Sequence, residues 1–218
     1  MTRAGRALVY AAGLLWIAAA AGGTAYIFRY ESRPAAATQV AQAWPDAAGL
    51  ARHENGFSLV IAVHPKCSCT RATVAELNKL MLAWGGQVHA FALVTKPFEV
   101  SDLWSETDEV TARLLEIPHV TVVRDLGGAM SAAFGAQSSG QTLLYDAAGS
   151  LVFAGGIIAF RGHEGPSIGG ETLKQIVTGE APSTRHTQVL GCSIEDKFCP
   201  LHGTSHEGHD HGHDDERG

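Results

Sequence analysis

The chain has 218 residues, of which 45% are hydrophobic and 17% charged, and its formal net charge is -6. That length and apolar content suit one domain of ordinary size with appendages, and they exclude disorder of the whole chain. The 22 acidic residues outnumber the 16 Lys and Arg, so no broad basic surface argues for nucleic acid, and that class of partner is set aside.

Residues 7–28 form a run with no charged side chain, flanked by Arg3 and Arg6 on one side and by Arg29 and Arg33 on the other. As a helix the run would span roughly 33 Å, about the thickness of a bilayer core. The rival reading is a cleaved signal peptide, because Ala18 to Ala21 supply small residues; the apolar run continues past them through Tyr26, Ile27 and Phe28, which favours a retained anchor over residues 1–30. Arg3, Arg6 and the amino terminus favour a cytoplasmic N-terminus. The expected location is therefore an inner, cytoplasmic membrane crossed once, with the soluble part in the periplasm or outside, where disulfides persist.

Residues 31–50, rich in Pro, Ala, Gln and Asp and broken by Pro34 and Pro45, read as a linker. A folded domain is expected over residues 51–180. Its first strand is the apolar, β-branched run 57–63, ended by Pro65. Val74, Leu77, Leu80 and Trp84 recur at helical spacing over residues 70–84, and Gly85-Gly86 stops that helix. Residues 88–95 form a second strand. A weaker helix covers residues 108–116, with Ser105 or Thr107 as its cap.

Residues 119–124 read as a third strand and 128–134 as a short helix. Residues 141–145 and 151–154 flank the turn Asp146-Ala147-Ala148-Gly149 as a β-hairpin, and a last helix runs over 171–177. The order β-α-β-α-β-α-β-β-α predicts an α/β domain: a mixed sheet flanked by helices, with parallel crossovers and antiparallel strands at the hairpin. Residues 181–218 are a cysteine-containing extension and a low-complexity, His-rich tail expected to be disordered.

Chemistry concentrates at His64-Pro65-Lys66-Cys67-Ser68-Cys69, where two cysteines stand between a strand and a helix. Unpaired N–H groups and the positive dipole end of a helix favour thiolate over thiol, and Lys66 and Arg71 push the same way. Cys67 is expected to be an exposed nucleophilic thiolate and Cys69 the resolving thiol. His64 raises the thiolate population, ligates a metal, or is only a surface or packing residue. Residues two apart on a helix diverge by about 200°, so a bond between Cys67 and Cys69 needs Cys67 to lie before the first helical turn, or it costs distortion.

The motif His64-Pro65-Lys66-Cys67-Ser68-Cys69-Thr70-Arg71-Ala72-Thr73, with Leu143-Leu144-Tyr145-Asp146-Ala147-Ala148-Gly149, Gly155-Gly156-Ile157 and Arg161-Gly162-His163-Glu164-Gly165, resembles the thioredoxin-like superfamily over residues 57–179. Within it, the similarity is greatest to membrane-anchored RedB-type proteins; the hairpin and the glycine-rich segments are also similar to redoxin domains. The resemblance implies a thioredoxin-like fold and thiol–disulfide chemistry on protein thiols, and this chain departs from it twice. The cysteines are spaced Cys-x-Cys rather than Cys-x-x-Cys. Ser138-Ser139-Gly140 stands where the superfamily places a cis-proline, which leaves Gly140 to expose a strand edge to an extended peptide. His64, Ser139 and Gly140 are accordingly expected to meet the substrate.

The resulting expectation is a membrane-tethered, extracytoplasmic thiol–disulfide oxidoreductase that requires no cofactor, since the cysteines carry the electrons. Two alternatives stand beside it. One is a copper-binding metallochaperone in which Cys67, Cys69 and His64 hold the metal, with His202, His206, His209, His211 and His213 collecting copper or zinc nearby. The other is an interaction module that kept the fold and lost the activity. Cys192 and Cys199 are expected to close a local structural disulfide; a relay to Cys67 and Cys69, or a thiolate site completed by His202, stays open. The Arg161, His163 and Glu164 cluster reads as a solvated loop with charge pairs, or as a loop folded toward the cysteines.

Overall fold

The computed structural model of the chain describes residues 2–35, 39–98 and 108–194. Helix α1 (Arg3–Glu31) begins at Thr2, whose hydroxyl accepts from the Gly5 N–H, and buries none of its residues. Leu8, Leu15 and Trp16 stand exposed along it. With 29 residues and a mean hydropathy of 1.6 over its most apolar stretch, it is long and apolar enough to cross a membrane.

Five strands, β1 (Phe57–Val63), β2 (Val88–Lys96), β3 (Val120–Leu126), β4 (Thr142–Tyr145) and β5 (Leu151–Gly155), form one mixed sheet in the order β3-β2-β1-β4-β5. β1 runs parallel to β2 and antiparallel to β4, so the hairpin enters the sheet through β4, with β5 at one edge and β3 at the other. β1 is covered on both faces, which is why its sequence is apolar without alternation. Leu59, Ile61 and Val63 face a core shared with Leu77 and Met81 of α2 (Ser68–Trp84), Leu114 of α3 (Glu109–Leu115) and Leu173 of α5 (Ile168–Thr178). Val60 faces the opposite core, built from Phe91, Leu93, Tyr145 and Phe134 of α4 (Ala129–Phe134).

The element order follows the sequence reading, and three local differences have physical causes. α3 is capped by Asp108, whose carboxylate accepts from the Val110 N–H at 2.9 Å; Ser105 and Thr107 lie outside the described residues. α5 starts earlier than expected, because Gly169 and Gly170 act here as packing residues: a Cβ on Gly169 would come within 1.9 Å of the Gly156 carbonyl. Ser167 caps it through the Gly170 N–H.

The third difference concerns the linker. Residues 39–50 lie on the domain, where the Trp44 ring stands 5.0 Å from Phe134 and 5.3 Å from Tyr145, edge-on to both. The Trp44 N–H donates to Gly149 O, and the Tyr145 hydroxyl donates to Ala41 O. Val40, Ala48 and Leu50 join Trp44 in this cluster, and together they dock the stretch. Residues 181–194 also continue along the fold: Ala154 and Thr187 exchange main-chain bonds with neighbours across the β5 edge, and Leu190 and Ile194 are buried.

Candidate functional site

The site lies at the carboxyl ends of β1 and β2, the end of a parallel pair where main-chain groups are left for a ligand. β1 stops at Val63, and residues 64–67 turn so that the Cys67 N–H donates to His64 O at 3.1 Å. Cys67 is the N-cap of α2, with extended backbone angles, and Ser68 opens the helix. Cys67 thus lies before the first helical turn, with Cys69 inside it.

Ser139 ties the surrounding elements together. Its hydroxyl accepts from the His64 N–H at 2.9 Å and lies 2.7 Å from the Thr70 hydroxyl, while Thr70 also reaches His64 O. Gly140 has φ +82, a region that favours glycine, and its N–H donates to Ala62 O at 2.7 Å. There is no cis peptide bond among the described residues. Ser139 is 2% exposed, so Ser139→Ala would strand the buried His64 N–H; a loss of about 1–3 kcal/mol is expected in urea unfolding. An unchanged midpoint would show that this hydroxyl does not organise the site.

His64 is buried and its main chain anchors this turn. Lys66 and Arg71 are directed toward the start of α3, where Lys66 stands 3.8 Å from Asp108 and Arg71 3.3 Å from Glu109. The expected cationic help to the thiolate is therefore turned elsewhere.

Its place is taken by a third cysteine. The Cys192 sulfur lies 3.1 Å from the Cys67 sulfur. The segment that carries it pairs antiparallel with the loop before β4: Ser139 N–H donates to Cys192 O at 2.8 Å, and Ile194 N–H donates to Gln137 O at 3.0 Å. Gly191 passes so close to this loop that a Cβ there would meet Ser139 O at 1.7 Å. Cys67, expected to be exposed, is only 1% exposed in this arrangement. Cys192, expected beside Cys199, is placed beside Cys67, and Cys199 lies outside the described residues.

The Cys67 thiol is held far below its ordinary range, first by the hydrogen bond with Cys192, then by that with Cys69, with burial opposing both. Cys69 moves the other way. Its bond to Cys192 pulls it down, but the Cys67 bond, burial and the Cys67 charge together push it up. Arg161 opposes that rise, so part of the 161–164 cluster acts on the cysteines, while Glu164 pairs with Lys79 at 3.1 Å. The two shifts run in opposite directions, which favours the thiolate on Cys67 over Cys69.

Among the described residues, no group of three or more His, Cys, Asp or Glu side chains is arranged to hold a metal ion. His202, His206, His209, His211 and His213 lie outside the described residues. Sequence reasoning assigned no role to Thr70 and left that of Cys192 open. Thr70 carried a signal in its place three residues after Cys67; Cys192 carried none beyond being a cysteine.

The central strand with its antiparallel neighbour β4, the flanking helices and the thiols at the start of α2 define a thioredoxin-like domain behind an N-terminal apolar helix. No protein-family model and no curated protein sequence matches the chain. Solved structures do. A hypothetical protein, SMc02350, from Sinorhizobium meliloti 1021 is 19% identical with a TM-score of 0.51, over 76% of this chain and 93% of that one. An uncharacterized conserved protein from Geobacillus kaustophilus is 14% identical with a TM-score of 0.52, over 77% and 92% of the two chains. A secreted Mycobacterium tuberculosis disulfide oxidoreductase homologous to E. coli DsbE is 16% identical with a TM-score of 0.40, over 58% and 83%. At these identities the likeness is one of fold.

Proposed function

We propose that this protein is a thiol–disulfide oxidoreductase acting on protein thiols or disulfides, with Cys67 as the attacking nucleophile. The observation that carries this reading is the placement of Cys67 as N-cap of α2, 3.1 Å from a second thiol that lowers its pKa. Thiolate character is what exchange chemistry requires, and a neighbouring thiol is what releases the partner from a mixed disulfide. The chemistry needs no organic cofactor. α1 would tether the domain to a membrane, with Arg3 and Arg6 retained in the cytoplasm and the cysteines outside it.

In an insulin-reduction assay with a dithiol donor, Cys67→Ser is expected to lower the rate at least roughly 100-fold. The same assay on Cys69→Ser reports how far that second thiol takes part. Activity retained by Cys67→Ser would sink the proposal.

A further inference from the structure

We propose that Cys192 is the resolving thiol for Cys67, delivered by a segment of the chain that sits on the site as a peptide substrate would. This rests on the reading of Cys67 as the nucleophile, and its argument is independent of the identity of the external partner.

The first observation is geometric. Extended peptides bind an exposed strand edge by adding main-chain hydrogen bonds, while side chains fill neighbouring positions. Residues 192–194 do this at the 137–139 loop, through the Ser139–Cys192 and Ile194–Gln137 bonds and the Ser138–Ser193 bridge. Ile194 is buried beside Ala62 and Ala136, and Leu190 beside Ala72 and Ile158, so the segment is anchored on both sides of its cysteine. Gly191 allows the close approach to Ser139 that no residue with a Cβ permits without movement.

The second observation is the comparison between the two candidate partners of Cys67. Cys69 is two residues away on the same chain turn, where a disulfide ring is small and its geometry constrained. Cys192 comes from a separate strand, and its sulfur has to close only about 1 Å to reach bonding distance, given an S–S bond of about 2.05 Å.

The reaction balances within these groups. The Cys67 thiolate attacks a substrate disulfide, forming a mixed disulfide and releasing one substrate thiolate, which takes up a proton. Cys192, losing its proton to water, attacks the Cys67 sulfur; the Cys67–Cys192 bond forms and the second substrate thiolate leaves. The substrate has gained two electrons and the protein has lost two. An external dithiol returns them and becomes a disulfide. Because residues 190–194 occupy the edge that an incoming peptide would use, that peptide and this segment compete for one loop.

The test uses the full-length protein in detergent. Reduced protein is mixed briefly with oxidised glutathione, quenched with acid, and its disulfides are mapped by mass spectrometry without reduction. The expected first intramolecular disulfide, after the glutathione adduct on Cys67, is the Cys67–Cys192 linkage, formed also in Cys69→Ser. In Cys192→Ser, glutathione is expected to remain on Cys67 at least roughly tenfold longer than in the parent. Gly191→Val keeps the thiol but drives the segment off Ser139, so it should behave in the same direction. A dominant Cys67–Cys69 or Cys192–Cys199 first intramolecular disulfide overturns the inference, as does Cys192→Ser or Gly191→Val protein that clears glutathione at the parental rate; the reading of Cys67 as nucleophile survives these results. Failure of glutathione to attach to Cys67 in every variant overturns both.

Discussion

Reduced protein titrated toward acid should keep one thiolate at about pH 5, where an ordinary thiol is fully protonated. The ultraviolet thiolate absorbance measures this directly. The signal should be absent at that pH in Cys67→Ser. In Cys192→Ser it should titrate nearer the ordinary thiol value of 9.0, because the hydrogen bond with Cys192 is the largest cause of the depression. The sign of the linked stability follows. A folded pKa below the unfolded value contributes stability that is full above the unfolded pKa and is lost as pH falls toward the folded one. For Cys67, reduced protein should therefore become more stable as pH rises from acid toward about 9. Cys69, raised in the fold, contributes stability that is full below the ordinary value and lost at more alkaline pH. Reduced protein should then show a maximum near the ordinary thiol range, and Cys192→Ser should flatten its acid side. If the thiolate signal of the parent disappears at neutral pH, the hydrogen-bonded arrangement of the three sulfurs does not hold in solution.

Phe134→Ala should cost about 3–5 kcal/mol, read as a lower urea midpoint at unchanged slope. Phe134 is fully buried, and its ring is the meeting point of three parts of the chain: α4, the Tyr145 end of β4, and Trp44 from residues 39–50. α4 has only six residues and is oriented by Asp125, whose carboxylate accepts from the Met130 and Ser131 N–H groups. Removing the ring leaves a cavity at the centre of the cluster that joins this short helix, residues 39–50 and the sheet. Loss of the Trp44 environment should appear as a shift in tryptophan emission in the folded variant. A cost below about 1 kcal/mol would mean that residues 39–50 do not dock as described.

Much of the domain was legible because its signals are local. The β1 run 57–63, the helical spacing of Val74, Leu77, Leu80 and Trp84, and the hairpin turn at Gly149 each fix an element within a few residues. The start of α5 was less legible, because the close approach of Gly169 to Gly156 is a contact between segments and leaves no local pattern. Trp44 lies in a stretch of Ala, Gln, Pro and Asp with Val40 and Leu50 as the other large apolar residues, and no periodicity announces what it packs against. At the site, the strand-to-helix position of Cys67 and Cys69 could be read from neighbours in sequence.

The sequence by itself thus determined the element order, the long apolar N-terminal helix and the place of two cysteines at the start of α2, since each depends on residues within a turn or a strand length of one another. Tertiary structure alone decided what faces Cys67. Cys192 is 125 residues away along the chain, and only the antiparallel pairing of residues 192–194 with the loop before β4 places its sulfur at 3.1 Å. That pairing is made by main-chain groups, which every residue carries, and by Leu190, Gly191 and Ile194 against residues distant in the sequence, so no local pattern signals it.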